Sequence, residues 1–481
     1  IVGNSSAIGT GTLTLDGGTL RTGSTGAGLT VPTVVSGTNA VFSGGGGLTL
    51  SGDISGSGTL VIGGSGSGQA AGAVSITDNL GDFTGTIIFN SVADLNSLNF
   101  PDGYSVSTPA ALEINGSNNK SSIRLWEHAT FGELSGNGGI FYGDNSWFTI
   151  NQDTDTTFAG QLLDVNSARE LGLIKNGSGR LTLSGQNSYE WATTVNGGIL
   201  EVSGRIGETA SITVGSGATF EVTGSGSLGS GGVYNGGGSG SGNIVNNGTF
   251  NYNSTTDQEL RGVISGTGVL VKDNTSTLTL TAANTYSGAT TVSNGTLKLG
   301  AAGVIPDGSG KGDVTVNGTL DLNSYSETIN GLSGTGTVDT VAGGTPTLTV
   351  GNDNDTNTFS GTITDTSGAL SLTKIGTGAL TLSGANTYSG GTAVNGGTLT
   401  LATSGALSAG NYEINNGASL QTTVGINIGG KTFTFGNSGG GSIAFSGGNM
   451  RVGGTTFVTT GGPTSFITGT LLDLGSPTYN V

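Results

Sequence analysis

Apolar and polar residues alternate in short runs along the whole chain. Examples are Thr12-Leu13-Thr14-Leu15, Ala218-Thr219-Phe220-Glu221-Val222, Thr277-Leu278-Thr279-Leu280 and Thr432-Phe433-Thr434-Phe435. A period of two places the apolar side chains on one face of a strand and the polar ones, mostly Thr, on the other. Clusters of Gly, Asn, Ser and Asp end each run after about 4–6 residues, as turns between strands do. No stretch shows a clear helical period; the nearest, Val165 to Leu173, is short and uncapped. The pattern therefore predicts an all-β chain of many short strands.

A longer repeat is laid over this alternation. Lys175, Leu181, Leu183, Asn187 and Tyr189 recur at the same spacings as Lys272, Leu278, Leu280, Asn284 and Tyr286, and as Lys374, Leu380, Leu382, Asn386 and Tyr388. Each Tyr is followed by a Val (Val195, Val292, Val394) and then a Leu (Leu200, Leu297, Leu399). A shorter shared piece precedes each copy: Phe158–Leu162, Leu260–Ile264 and Phe359–Ile363. A unit with one apolar face per short strand cannot bury that face alone, and stacking neighbours supplies the cover. Gly and Asn provide the left-handed corners at which such a chain turns. The expectation is a parallel β-helix. With about 22–25 residues per rung, about 20 rungs at roughly 4.8 Å would make a rod near 100 Å long.

Composition narrows the function. Glycine supplies 96 of 481 residues, cysteine none, and charged residues only 9%. This rules out a coiled coil and a disulfide scaffold. A net charge of -17 repels a phosphate backbone, so no nucleic-acid partner is expected. No run of 18 apolar residues exists, so this chain is not expected to insert a helix into a membrane. The opening Ile1-Val2-Gly3-Asn4 lacks an initiator Met, which points to a removed signal peptide or a fragment.

The unit Lys374-Ile375-Gly376-Thr377-Gly378-Ala379-Leu380-Thr381-Leu382-Ser383-Gly384-Ala385-Asn386-Thr387-Tyr388, with Asn395-Gly396-Gly397-Thr398-Leu399, resembles the autotransporter-associated β-strand repeat of bacterial passenger regions. That resemblance implies a right-handed β-helix. It also implies export by a Gram-negative bacterium and a place at the outer-membrane surface or outside the cell. The repeat is a scaffold motif and brings no catalytic residues with it.

Four segments are expected: N-terminal rungs over 1–96, a less regular aromatic-containing segment over 97–173, repeat-bearing rungs over 174–402, and C-terminal rungs with an assembly end over 403–481. Chemistry-bearing motifs are few. Gly425 to Thr432 has the letters of a phosphate-binding loop, but such a loop must open a helix, and Thr432–Phe435 reads as a strand. Gly436-Asn437-Ser438-Gly439-Gly440 has the glycine-flanked serine of a protease, with His128 as the sole histidine to serve it. One histidine and no cysteine exclude a typical zinc site. The glycine runs near Gly63 and Gly237 lack the Asp of a calcium-binding repeat. Asp153-Thr154-Asp155 and Asp353-Asn354-Asp355 read as solvated loop acids, with weak calcium binding at the turns as the alternative. No carboxylate pair stands out for glycoside cleavage. The expectation is no enzyme, no cofactor and no metal. Lys175, Lys272 and Lys374 read as one polar position on the coil surface.

Two surfaces remain. Arg124, Trp126, His128, Tyr142 and Trp147 bring aromatic rings and a guanidinium together in one segment, a candidate site for glycan or a host protein. Neither end carries a cap pattern, and a bare solenoid end exposes unpaired N–H and C=O groups. Ile1, Val2, Leu471, Leu472, Leu474, Tyr479 and Val481 are therefore candidates for end-to-end self-assembly. The functional expectation is a non-catalytic extracellular stalk or fibre subunit, with a glycan- or host-binding adhesin as the alternative.

Overall fold

The computed structural model describes residues 8–23, 26–43, 46–63, 72–77, 80–91, 97–100, 106–116, 122–164, 170–207, 211–235, 242–415, 417–436, 441–445, 450–451, 456–459, 466–468 and 478–480. Nearly all regular structure among them is short β-strand; one turn of 3-10 helix covers Ser404–Ala406. The strands stack in parallel as a β-solenoid of about 18 turns, close to the 20 expected. The nearest helical candidate in the sequence ends instead in the strand Leu171–Asn176, and its residues 165–169 lie outside the described residues. Among the described residues no helix is long and apolar enough to cross a membrane.

The chain divides into two compact units, residues 1–250 with 254–256, and residues 251–253 with 257–481. In the first, one stack runs from Ala27–Leu29 to Gln161–Asp164 and another from Val106–Ser107 to Asn243–Asn246. Strands from residue 97 to 176 continue both of these stacks. In the second unit, the stacks that carry Val269–Lys272 and Ser371–Lys374 are distinct, so its two repeat copies lie on different faces. Turn length varies more than the expected 22–25 residues. Thr319 pairs with Thr337, whereas Ser211 pairs with Asn243, because Gly-rich loops of any length fit between strands that must stay in register.

Alternation sets inside and outside, as predicted. Leu278 and Leu280 are buried while Thr277 and Thr279 face out. Thr277, Thr296, Thr319, Thr337 and Thr362 form one outward column across five successive strands of the second unit. In the first unit Phe100, Phe131, Phe148 and Phe141 fill the interior, with successive ring centroids 5.8, 6.1 and 4.1 Å apart. The turn after each repeat lysine needs a left-handed residue, and it is Gly177 (φ 78°), Asn274 (φ 62°) or Gly376 (φ 71°).

Thr432–Phe435 is a strand, so the phosphate-loop letters open no helix. The protease-like serine motif falls largely on 437–440, and the two glycine runs on 64–70 and 236–241, outside the described residues. The same holds for Ile1, Val2, Leu471, Leu472, Leu474 and Val481; Tyr479 lies in the strand Thr478–Asn480.

Candidate functional site: a repeat that staples turns and an outward aromatic corner

The recurring residues of the repeat serve the interior. The lysines correct the surface expectation: Lys175 and Lys272 are fully buried and Lys374 is 1% exposed. Each lies two residues after a buried leucine (Leu173, Leu270, Leu372), on the inward parity of its strand. Each ammonium caps the carbonyls of two stacked turns. Lys175 Nζ donates to Asn176 O (3.0 Å), Gly177 O (3.1 Å) and Gly197 O (3.0 Å). Lys272 donates to Asp273, Asn274 and Asn294, and Lys374 to Ile375, Gly376 and Gly396. Burial pushes Lys175 and Lys272 down to about 8, against the pull of Asp153 and Asp155 on the first and Asp273 and Asp257 on the second. Burial lowers Lys374 as well.

The asparagine bridges turns in the other direction. Asn284 Oδ1 accepts from Ile264 N–H (2.8 Å) and its Nδ2 donates to Val304 O (2.8 Å). Asn187 joins Leu162 to Arg205, and Asn386 joins Ile363 to Ala406, in the same way. Asn284→Ala strands a buried N–H and a buried C=O, and should lower stability by about 1–3 kcal/mol in urea titrations followed by circular dichroism. Tyr189, Tyr286 and Tyr388 fill the core, and their hydroxyls share hydrogen bonds with Thr193, Thr290 and Thr392 at 2.8, 2.6 and 2.7 Å.

The acidic turns act as caps. Asp153 Oδ1 accepts from Ser178 N–H, and Asp155 Oδ1 from Arg180 N–H. Asp313, Asp353 and Asp355 bring carboxylate oxygens within 4.8 Å of one another, and Gly331 N–H donates to Asp313 and Asp355 N–H to Asp353. Burial, then the adjoining Asp353 carboxyl, raises Asp313.

The five candidate binding residues form two contact groups, joined through the chain between Trp126 and His128, on the outside of the first unit. Ile123 and Leu125 point inward from the strand Ser122–Leu125, which turns Arg124 and Trp126 outward. Arg124 pairs in register with Tyr142, and its guanidinium lies 5.9 Å from both the Trp126 and the Tyr142 ring centroids. Trp147 faces out from Ser146–Asn151, and its backbone N–H donates to the exposed His128 Nδ1 at 3.0 Å. Its ring lies over Gly172, its partner in register, where an added Cβ would sit 2.4 Å from the indole.

One member of this corner escaped the sequence reading. Trp191 packs against Trp147 at 5.4 Å with the planes inclined by 46°, and its backbone N–H donates to Leu171 O at 3.1 Å. Its signal was present in the repeat: copies two and three carry Gly288 and Gly390 there. At both, a Cβ would meet a neighbouring carbonyl oxygen at 2.2 Å. Copy one alone replaces this packing glycine with a large ring turned to the surface. Asp164, Glu170 and Glu190 adjoin the same turns. Asp164 accepts from Leu171 N–H at 2.6 Å, and burial, then the like charges of Glu190 and Glu170, raise its carboxyl to about 7.

Fold and site together define a repeat-bearing parallel β-solenoid whose recurring residues staple successive turns and whose outward aromatics gather at one corner. Residues 173–202, 270–299 and 372–401 match the passenger-associated-transport-repeat, so the chain carries three copies of that autotransporter repeat. The chain is also 32% identical over 240 residues to a Brucella suis biovar 1 (strain 1330) protein described as an adhesin autotransporter, BmaC. The match takes in 42% of this chain and 7% of that protein, so the chain corresponds to a small part of its relative. No solved structure matches the chain.

Proposed function

We propose that this chain is a passenger segment of a Gram-negative autotransporter, displayed at or beyond the outer membrane, and that it is a non-catalytic adhesive surface on a solenoid body. The three transport repeats and the adhesin relative support the passenger reading. The observation that carries adhesion is the corner itself. All three tryptophans of the chain, Trp126, Trp147 and Trp191, are half-buried rather than in the core, and all three belong to it. Large rings held at a surface offer apolar area with little entropy left to lose on binding. We therefore place adhesion ahead of the bare stalk or fibre that composition suggests. The repeat-bearing turns serve as the rigid support.

The test is binding of beads coated with the full chain to cultured epithelial cells. A Trp126→Ser, Trp147→Ser, Trp191→Ser variant should lose about tenfold or more in binding, as loss of several aromatic anchors does. A Thr277→Ala, Thr296→Ala, Thr319→Ala control, on the outward threonine column, should bind as the parent does. Equal binding by the two variants, both showing parental circular dichroism, contradicts the adhesive reading.

A further inference from the structure

The aromatic corner has two halves of opposite electrostatic character. In one half, the Arg124 guanidinium lies 5.9 Å from the ring centroids of both Trp126 and Tyr142. A cation over the negative face of an indole or phenol ring is attracted by the ring quadrupole, so these rings already hold the charge that suits them. In the other half, Trp147 and Trp191 pack at 5.4 Å with their planes inclined by 46°, both half-buried. Asp164 and Glu170 flank the Leu171 backbone, whose carbonyl accepts from the Trp191 backbone N–H, and Glu190 precedes Trp191 in the chain. Glu190 and Glu170 lie close enough to Asp164 to raise its carboxyl further after burial has done so. Among the described residues no basic side chain forms an ion pair with Asp164, Glu170 or Glu190.

We propose that the Trp147–Trp191 pair, with Glu170, Glu190 and Asp164, receives a cationic side chain from a basic segment of a partner protein. The proposal deepens the adhesive reading and rests on it. A guanidinium or ammonium laid against the outer face of this pair would supply from outside the kind of cation that Arg124 supplies to Trp126 and Tyr142 from within. It would also neutralise carboxylates that form no ion pair among the described residues. A net charge of -17 on the chain favours approach of a basic partner.

The probe is the peptide acetyl-Gly-Arg-Gly-Arg-Gly-amide, titrated into the full chain by calorimetry with tryptophan emission followed in parallel. Its twin carries citrulline, which keeps the shape and loses the charge. The arginine peptide should bind about tenfold more tightly than the citrulline peptide. Glu170→Gln with Glu190→Gln should weaken it by about tenfold, and Trp147→Leu with Trp191→Leu should remove it. Lys298→Gln, at an outward position of the second unit, should leave it unchanged. The glutamine pair keeps the test decisive if the leucine pair disturbs folding. Equal binding of the two peptides, no binding of either, or indifference to the glutamine pair overturns the proposal. Capture of neutral oligosaccharides in place of the arginine peptide also overturns it, while leaving the adhesive reading intact. That reading fails instead if the triple tryptophan variant keeps its binding to cells.

Discussion

Tyr286→Ala is expected to destabilise the second repeat copy by about 3–5 kcal/mol, the cost of removing a large buried ring from a close-packed core. Tyr286 is 1% exposed, and its hydroxyl shares a 2.6 Å hydrogen bond with Thr290. Tyr286→Phe separates the two contributions. It keeps the ring and leaves Thr290 Oγ1 without this partner, for about 1 kcal/mol. Because each turn of a solenoid contacts only its neighbours, the loss should be local. Hydrogen exchange should show lost protection in the strands Thr277–Leu280 and Thr296–Leu299, with little change in the first unit. A uniform loss along both units would contradict this nearest-neighbour account.

Lys272→Met is expected to cost about 2–4 kcal/mol, because the turn carbonyls of Asp273, Asn274 and Asn294 lose their shared donor. Lys298→Met, at an outward position, should stay within about 0.5 kcal/mol of the parent. The lysines also set a pH dependence. Lys175 and Lys272 lose their protons near 8 in the fold, against about 10.4 in the unfolded chain. Between those values the unfolded chain binds more protons, so stability rises with pH; below about 8 both states are protonated and the contribution is flat. Tyrosine gives the opposite sign. Burial raises Tyr189 and Tyr286, so above about 10 the unfolded chain loses protons that the fold keeps, and stability falls. The urea midpoint should therefore rise from about pH 8 to about pH 10 and then drop. Lys175→Met with Lys272→Met should flatten the rise and leave the drop.

The same lysines show how far the sequence was legible. Alternation placed Leu278 and Leu280 inside and Thr277 and Thr279 outside, and the repeat required stacking. Read by charge, Lys272 belongs on the surface; read by parity, it follows Leu270 by two residues and belongs inside. Parity prevails because the strand geometry is fixed, and because the ammonium finds a turn whose carbonyls converge on it. Charge told the truth about transfer cost but carried no information about that cage, which residues from two separate turns build.

The candidate site was legible in the same partial way. Arg124, Trp126, Tyr142 and Trp147 stood out by type, and the register of Arg124 against Tyr142 brings their charges and rings together. Trp191 lay hidden because the repeat drew attention to what the copies share, whereas this residue marks where they differ. A rung of about 22–25 residues was legible as an expectation but the individual turn lengths were not, since a loop of Gly, Ser and Asn accepts almost any length between strands held in register.

The central claim is that the corner around Trp126, Trp147 and Trp191 is the surface through which this chain meets another cell. It is tested most directly by photo-crosslinking on intact epithelial cells. A benzophenone amino acid replaces Thr149, next along the outward face from Trp147, or Thr296, in the threonine column. The account predicts crosslinked adducts from position 149 that vanish when Trp147 and Trp191 are replaced, and none from position 296. Adducts from position 296 with none from position 149 would contradict it.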